Sequence, residues 1–305
     1  MASRELAAAG VDDPALQASY QACRALNAAH GRTYFLATLL LPPAKRPYIH
    51  ALYGFARYTD DLVDNDDAGL SASERRDRFE YWSKRFLADL DVGESDDPIG
   101  RAVIDTARTW NIPHEHFEAF LASMAMDLTV SEYADFEALG EYVYGSAAVI
   151  GLEVLPILEP SSPDAARYAA DLGIAFQLAN FIRDVGEDLD RGRLYLPLDD
   201  LVRFDLTRAD LERRVVDERV RALLQFEIAR VRRLEQAARP GIALLSPECR
   251  PCVEAARVLY CGIVDAVEQI DYQVFTTRAK VGLPRRLQVA LPQWAKAVHA
   301  RSYAS

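Results

Sequence analysis

Apolar residues recur at three- and four-residue intervals along most of this chain, as at Leu223, Phe226, Val231 and Leu234. That spacing lines one face of a helix, whereas the strict alternation that marks a half-buried strand is nearly absent. The pattern predicts helices over about 14–29, 43–65, 73–91, 98–110, 113–132, 136–150, 163–189, 207–239, 251–277 and 284–299. Prolines stand near many of these starts, where the first-turn N–H has no helical partner to lose. Asp13 before Pro14 reads as a cap. Residues 31–43 read as a buried connecting loop. Long helices with short connections give an all-α class and a single large bundle.

Composition adds bounds. The 305 residues are 50% hydrophobic and 27% charged, enough for a sizeable core. No Gly/Ser/Pro-rich linker, low-complexity run or repeat divides them, so one domain over 1–305 is expected, with its core at about 13–299. A formal net charge of −11 is the wrong sign for a phosphate-backbone footprint and excludes nucleic acid as a partner. The N-terminal residues include early acidic ones and no apolar centre, unlike a signal peptide. The longest apolar stretch, 145–158, is interrupted by Glu153 and falls short of the roughly 20 residues that span a bilayer. A cytoplasmic location is expected, against a membrane at most. Four cysteines in a chain of this size read as reduced thiols. Cys249 and Cys252 form a CxxC without a second pair, and Ser246-Pro247-Glu248 before them reads as a helix opening. His114 and His116, two apart at a helix start, do not share a face and read as non-ligands. No feature of the sequence sets an oligomeric state.

Two stretches carry chemistry. In 175–197, AFQLANFIRDVGEDLDRGRLYLP, the residues Asn180, Asp184 and Asp188 recur every fourth position, and on a helix they stack along one face. Like charges at that spacing repel by a few tenths of a kcal/mol per pair. Mg²⁺ is the usual neutraliser of such hard oxygen ligands, together with a phosphate-bearing substrate. Arg183 lies beside the row, and Arg191, Arg193 and Tyr195 follow it. A single acidic run is often a solvated face, but this one sits in an apolar frame of Ile174, Phe176, Leu178, Phe181, Ile182 and Val185. The second stretch, FARYTDDLVDNDD at 55–67, carries Asp60 and Asp64 one turn apart, Asp61 beside them and Arg57 one turn before. A pair of facing helices bearing these carboxylates can hold a Mg²⁺ cluster that a diphosphate bridges.

Here the chain resembles the phytoene synthase/squalene synthase family, the head-to-head prenyl-diphosphate synthases. That family carries an Arg-preceded DxxxD and then QxxNxxRDxxED followed by RxYLP. This sequence has Gln177, Asn180, Arg183, Asp184, Glu187 and Asp188, then Arg193, Tyr195, Leu196 and Pro197. GRTYFLATLLLPP at 31–43 is similar to the family's SxSFxLAxxLLP, with Gly31 for the first Ser, Thr33 for the second and Tyr34 for Phe. YVYGSAAVIG at 142–151 is similar to YCYxVAGxVG, with Ser146 for Val and Ala148 for Gly. DYQVFTTR at 271–278 resembles YDVFxxR, and Tyr260 matches a further aromatic. Asp127 in MAMDL matches GMxxDL, although a lone Asp reads as structural. The resemblance runs from about 32 to 287.

The resemblance implies the isoprenoid synthase fold, with a cavity between helices. It implies Mg²⁺, or Mn²⁺ in its place, on Asp60, Asp61, Asp64, Asn180, Asp184 and Asp188. It implies diphosphate binding by Arg57, Thr33, Arg183, Gln177, Arg193, Tyr195, Tyr260 and Arg278, with Lys280 near. Tyr142 takes the place of a tyrosine linked to rearranging the carbocation, so the expected catalytic set is Tyr142, Asp60, Asp64, Asp184 and Asp188. The reaction expected first is the joining of two geranylgeranyl diphosphates to 15-cis-phytoene through a cyclopropyl (prephytoene) diphosphate, with peripheral membrane contact for product release. The alternatives are squalene or dehydrosqualene formation from farnesyl diphosphate, with NADPH needed only for squalene, or prenyl transfer to an aromatic acceptor. A non-catalytic partner subunit is disfavoured because the acidic ligands are all present.

Overall fold

Local capping starts many of the helices. Asp13 accepts the N–H of Leu16 at 2.7 Å ahead of the helix Pro14–His30, and Asp97 accepts that of Gly100 at 2.7 Å ahead of Pro98–Trp110. Ser71 and Glu74 form a reciprocal box at the head of Ala72–Val92. The computed structural model describes residues 2–64 and 70–302. Asn65, where the first Asp-rich helix was expected to close, and Asp67 lie outside the described residues. Among those described the regular structure is helical, with one isolated bridge between Glu132 and Leu194.

Two helices frame the site. Arg46–Asp64 buries Leu52, Phe55, Thr59, Leu62 and Val63. Phe55 packs within 4.8 Å of Phe86 and 5.2 Å of Phe120, centroid to centroid. Each such side chain removed from water contributes about 1.5–3 kcal/mol. That apolar face seats the helix and leaves Arg57, Asp60, Asp61 and Asp64 at least partly accessible. The long helix Ala165–Asp190 is the other, buried through Phe176, Phe181, Ile182 and Val185. The segment 144–151 lies against it at backbone distance. A Cβ on Gly173 would stand 2.4 Å from the carbonyl oxygen of Ala147, and one on Gly151 2.3 Å from that of Ala169. Helix Phe136–Val143 passes through a π-helical turn, Tyr144–Ala148, into Val149–Val154. Such bulges re-aim side chains. The stretch Phe136–Leu158 is long and apolar enough to cross a membrane, and here more than half of it is buried in the core.

Several expected elements differ. Residues 32–38 are a helix, Arg32–Thr38, rather than loop, because Tyr34, Ala37 and Thr38 pack at helical spacing. The helix expected over 113–132 stops at Met126, where the chain turns to run beside 194–199: Leu194 N–H donates to the Ser131 carbonyl at 2.8 Å and Leu198 N–H to that of Tyr133 at 3.0 Å. The span 207–239 is broken into Arg208–Glu212 and Glu218–Ala238 by Arg214 at φ 58°, with Asp217 capping the second. The helix expected over 251–277 is Arg250–Gln269, ended by Asp271 and Tyr272 at φ 54° and 60°. Cys249 stands at the cap of that helix, and all four cysteines are free and buried.

Candidate active site

Between these helices lies a cavity of about 420 Å³. Arg57, Asp60, Gln177 and Asn180 line its polar end, and Leu155, Leu158, Leu172, Ile242 and Leu245 are among its apolar lining. A wider polar depression of about 560 Å³, near Asp89, Arg101 and Asp105, shares none of these residues. Deep apolar space closed by a few polar groups suits an apolar ligand with a charged head.

At the polar end the acidic residues are held by arginine. Arg57 donates to Asp60 at 3.2 Å and pairs with Asp61. Arg191 and Arg193 both reach Asp64, at 2.9 and 2.6 Å, and so join the two Asp-rich helices. Asp184 accepts from Arg183 at 2.7 Å and from Arg278 at 3.1 Å, and Arg278 also reaches Glu187 at 3.0 Å. Asp188 makes no ion pair among the described residues. Burial and the neighbouring Asp184 push its carboxyl up to about 8, against the pull of Arg191 and Arg193. Asp60, whose side chain is still 45% exposed, is raised by partial burial and by Asp64, against Arg57.

A second network is centred on Asp127. Its carboxylate accepts from Tyr142 at 2.8 Å and from Tyr195 at 2.7 Å, while Arg193 donates to its backbone carbonyl at 3.1 Å. Arg193 and Tyr195, two apart in an extended segment, point the same way. Tyr195 stacks on Phe181 at 4.2 Å. Tyr142, which lines the cavity, has its hydroxyl held far above its ordinary pKa by burial and by Asp127. The sequence reading left Asp127 as a structural residue; here it positions Tyr142.

The aromatic wall is also largely new. Tyr34 packs 4.4 Å from Tyr260 and 5.9 Å from Tyr53, and Phe176 packs 4.9 Å from Tyr260. Burial raises the Tyr53 hydroxyl to about 12. Gly31 explains itself against this wall: a Cβ there would lie 2.7 Å from the Tyr53 ring and 2.4 Å from Asn27 Oδ1. Gly31→Ser is therefore expected to destabilise the protein by about 1–3 kcal/mol by overpacking. Thermal melting of the purified variant checks this. An unchanged Tm would show that Tyr53 yields freely.

Of the residues singled out from sequence, Arg57, Asp60, Tyr142, Gln177 and Asn180 line the cavity, and Asp61, Asp64, Arg183, Asp184, Arg193, Tyr195 and Arg278 contact one another around its polar end and the Asp127 network. Tyr260 stands behind Tyr34. Thr33, on the helix Arg32–Thr38, neither lines the cavity nor hydrogen-bonds these residues. Lys280 is exposed and makes no hydrogen bond or ion pair with the cluster.

Among the described residues no three His, Cys, Asp or Glu side chains converge on one point, because arginines hold most of the carboxylates. The donor set nevertheless fits a hard divalent cation. Its members are carboxylate and amide oxygens, the Asn180 Oδ1 is buried without a hydrogen-bond partner among the described residues, and Asp188 is half-buried beside Asp184 without an ion pair.

Residues 27–285 match the squalene/phytoene synthase family. A 15-cis-phytoene synthase of Synechocystis sp. is 39% identical over 294 residues, 92% of this chain and 86% of that protein. A chloroplastic phytoene synthase of Daucus carota is 37% identical over 91% of this chain and 70% of its own length. Among solved structures, a dehydrosqualene synthase in complex with ligand superposes with a TM-score of 0.83 at 26% identity, covering 95% of this chain and 97% of that one. The squalene synthase HpnC from Alicyclobacillus acidocaldarius gives 0.77 at 28% identity, over 87% of this chain and 98% of its own.

Proposed function

The chain belongs to the squalene/phytoene synthase family, prenyltransferases of the isoprenoid synthase fold, and we propose that it joins two geranylgeranyl diphosphates head to head to give 15-cis-phytoene. One observation carries the choice within the family: proteins named phytoene synthases align with it at 36–39% identity over roughly nine-tenths of its length.

Asp60, Asp61, Asp64, Asn180, Asp184 and Asp188 would hold the Mg²⁺ that the family implies, with Mn²⁺ as a substitute. When bound, the cation supplies Lewis acidity and a template for the diphosphate. The chain's own part follows from its geometry. Arg57, Arg183 and Arg278 place positive charge where negative charge grows as the C–O bond breaks. The apolar cavity keeps the allylic cation from water. The ring faces of Tyr34, Tyr53 and Phe176 attract that cation through their quadrupoles. Attack by the double bond of the second substrate gives a cyclopropyl diphosphate, and its ionisation and rearrangement give the linear hydrocarbon. Overall two diphosphates and two protons leave and no hydride enters, so no reductant is needed. The Asp127 carboxylate fixes the Tyr142 hydroxyl at the cavity wall throughout.

The test incubates the purified chain with Mg²⁺ and either farnesyl or geranylgeranyl diphosphate, with and without NADPH. The expected result is a C40 hydrocarbon from the C20 substrate without NADPH. Squalene formed only with NADPH, or product only when an aromatic acceptor is supplied, overturns the proposal.

A further inference from the structure

The cavity has a length as well as a volume, and one helix runs beside it from end to end. Tyr168, Leu172, Gly173, Phe176, Gln177 and Asn180 line it from Ala165–Asp190. Their three- and four-residue spacing makes a single stripe. A helix rises about 1.5 Å per residue, so Leu172 lies about 12 Å and Tyr168 about 18 Å below Asn180. Asn180 marks the polar end, where Arg57 and Asp60 also reach the cavity.

The opposite end is closed by backbone. Ser161 N–H donates to the Leu244 carbonyl at 2.7 Å and Ser246 N–H to that of Leu158 at 3.1 Å. These bonds tie together the two segments that bring Leu158 and Leu245 to the cavity wall. Tyr168 is seated against this closure. A Cβ on Gly241 would lie 2.2 Å from the Tyr168 Cβ and 2.7 Å from its Cγ, so the backbone of Arg239–Leu244 holds the base of the ring. The Arg167 guanidinium lies 4.5 Å from the ring centroid and donates to the hydroxyl at 2.6 Å. That contact is exposed and Tyr168 itself half-buried, so the ring stands between the cavity and solvent. Helical side chains lean toward the N-terminus, and the ring therefore covers the last turn of the stripe rather than the turn above it.

A fully extended carbon chain advances roughly 1.2 Å per bond, as the peptide backbone does. On that measure a C20 prenyl chain is roughly 18 Å long and a C15 chain roughly 13 Å. Held by its diphosphate at the Asn180 end, the longer chain reaches Tyr168. The shorter one stops near Leu172 and leaves the last turn unfilled. We propose that Tyr168 sets the chain length this cavity accepts, its ring meeting the terminal isoprene unit of a C20 chain and turning away a C25 chain. The inference rests on prenyl diphosphates being the substrates, and it names the residue that selects among them. A fitted apolar pocket discriminates by roughly 10–200-fold for a single methylene, so one isoprene unit is ample for selection.

The experiment measures kcat/KM for Mg²⁺-dependent diphosphate release from farnesyl, geranylgeranyl and geranylfarnesyl diphosphates, for the parent and three variants. Tyr168→Ala should raise the C25-to-C20 ratio about tenfold or more. Leu172→Phe, which fills the stripe one turn higher, should lower the C20-to-C15 ratio by a similar factor. Tyr168→Phe keeps the ring and should keep the parent's preference, because the hydroxyl faces Arg167. Each readout is a ratio on one preparation, so a partly unfolded variant still reports it. Parent ratios in Tyr168→Ala, or a preference lost in Tyr168→Phe, overturn the proposal even where C40 hydrocarbon still forms. Shifted ratios without hydrocarbon from any chain length would instead uphold it and overturn the head-to-head reading.

Discussion

Replacing Asp184 with Ala should lower turnover of prenyl diphosphate by about a thousandfold or more while shifting the melting temperature by only a few degrees. A single group aimed at charge that develops in the transition state is commonly worth 10²–10³ in rate, and Asp184 anchors two arginines and is proposed to hold the cation as well. Arg183 and Arg278 meet on its carboxylate, so the substitution also releases the cations that would face the departing diphosphate. The row of like charges in the sequence by itself implies that removal should relieve repulsion. The structure tempers this. Asp184 is ion-paired, its side chain 16% exposed, and losing that pairing costs roughly 1–2 kcal/mol. Against it stands the relief of the Asp188 carboxyl, which Asp184 pushes upward. The two effects oppose, and the net stability change is small. Because the lost interaction strengthens as the leaving group departs, the rate should fall more than the apparent affinity. Steady-state kinetics on protein of known folded fraction, alongside a melting curve, decide the matter. A variant with full turnover per folded molecule and a much lower melting temperature would sink the assignment.

What was legible in the sequence was local. Asp60 and Asp64, or Asn180, Asp184 and Asp188, announce themselves because a four-residue spacing has one meaning on a helix. The all-helical class followed from the same periodicity. Asp127 was not legible as more than a structural residue, because its partners are 15 and 68 residues away and only the fold brings them together. Tyr53 likewise acquires its place from Gly31, across two helices. The breaks at Arg214, Asp271 and Tyr272 were missed because each holds a left-handed backbone without the glycine that usually marks it. Periodicity located the last helix, but it does not say which of two apolar stripes faces the protein. Accessibility does: Val289, Ala290 and Ala297 are buried, while Leu287, Leu291 and Trp294 are exposed.

Glu153 offers the largest expected gain in stability. It interrupts an apolar run in the sequence, and in the fold it sits on Val149–Val154, which packs against His114–Met126 and Ala165–Asp190. The residue is fully buried, and neither carboxyl oxygen has a hydrogen-bond partner among the described residues. Burial alone pushes its carboxyl up to about 8 from the ordinary 4.5. The sign follows from linkage. Below about pH 4.5 the group is protonated in both states and its ionisation costs nothing. Between about pH 4.5 and pH 8 the unfolded chain ionises while the folded protein stays neutral, so stability falls with rising pH, by an amount on the order of 4 kcal/mol. Glu153→Met fills the same length of side chain with no charge and no unmet oxygen. Its melting temperature should exceed that of the parent modestly at about pH 5 and by about 5–10 °C at about pH 8.5, the gap widening across that window. Glu153 is not among the cavity-lining residues, so turnover should be retained. A gain independent of pH would mean that the carboxyl finds water or a cation, and equal destabilisation at both pH values would mean that it is needed where it stands.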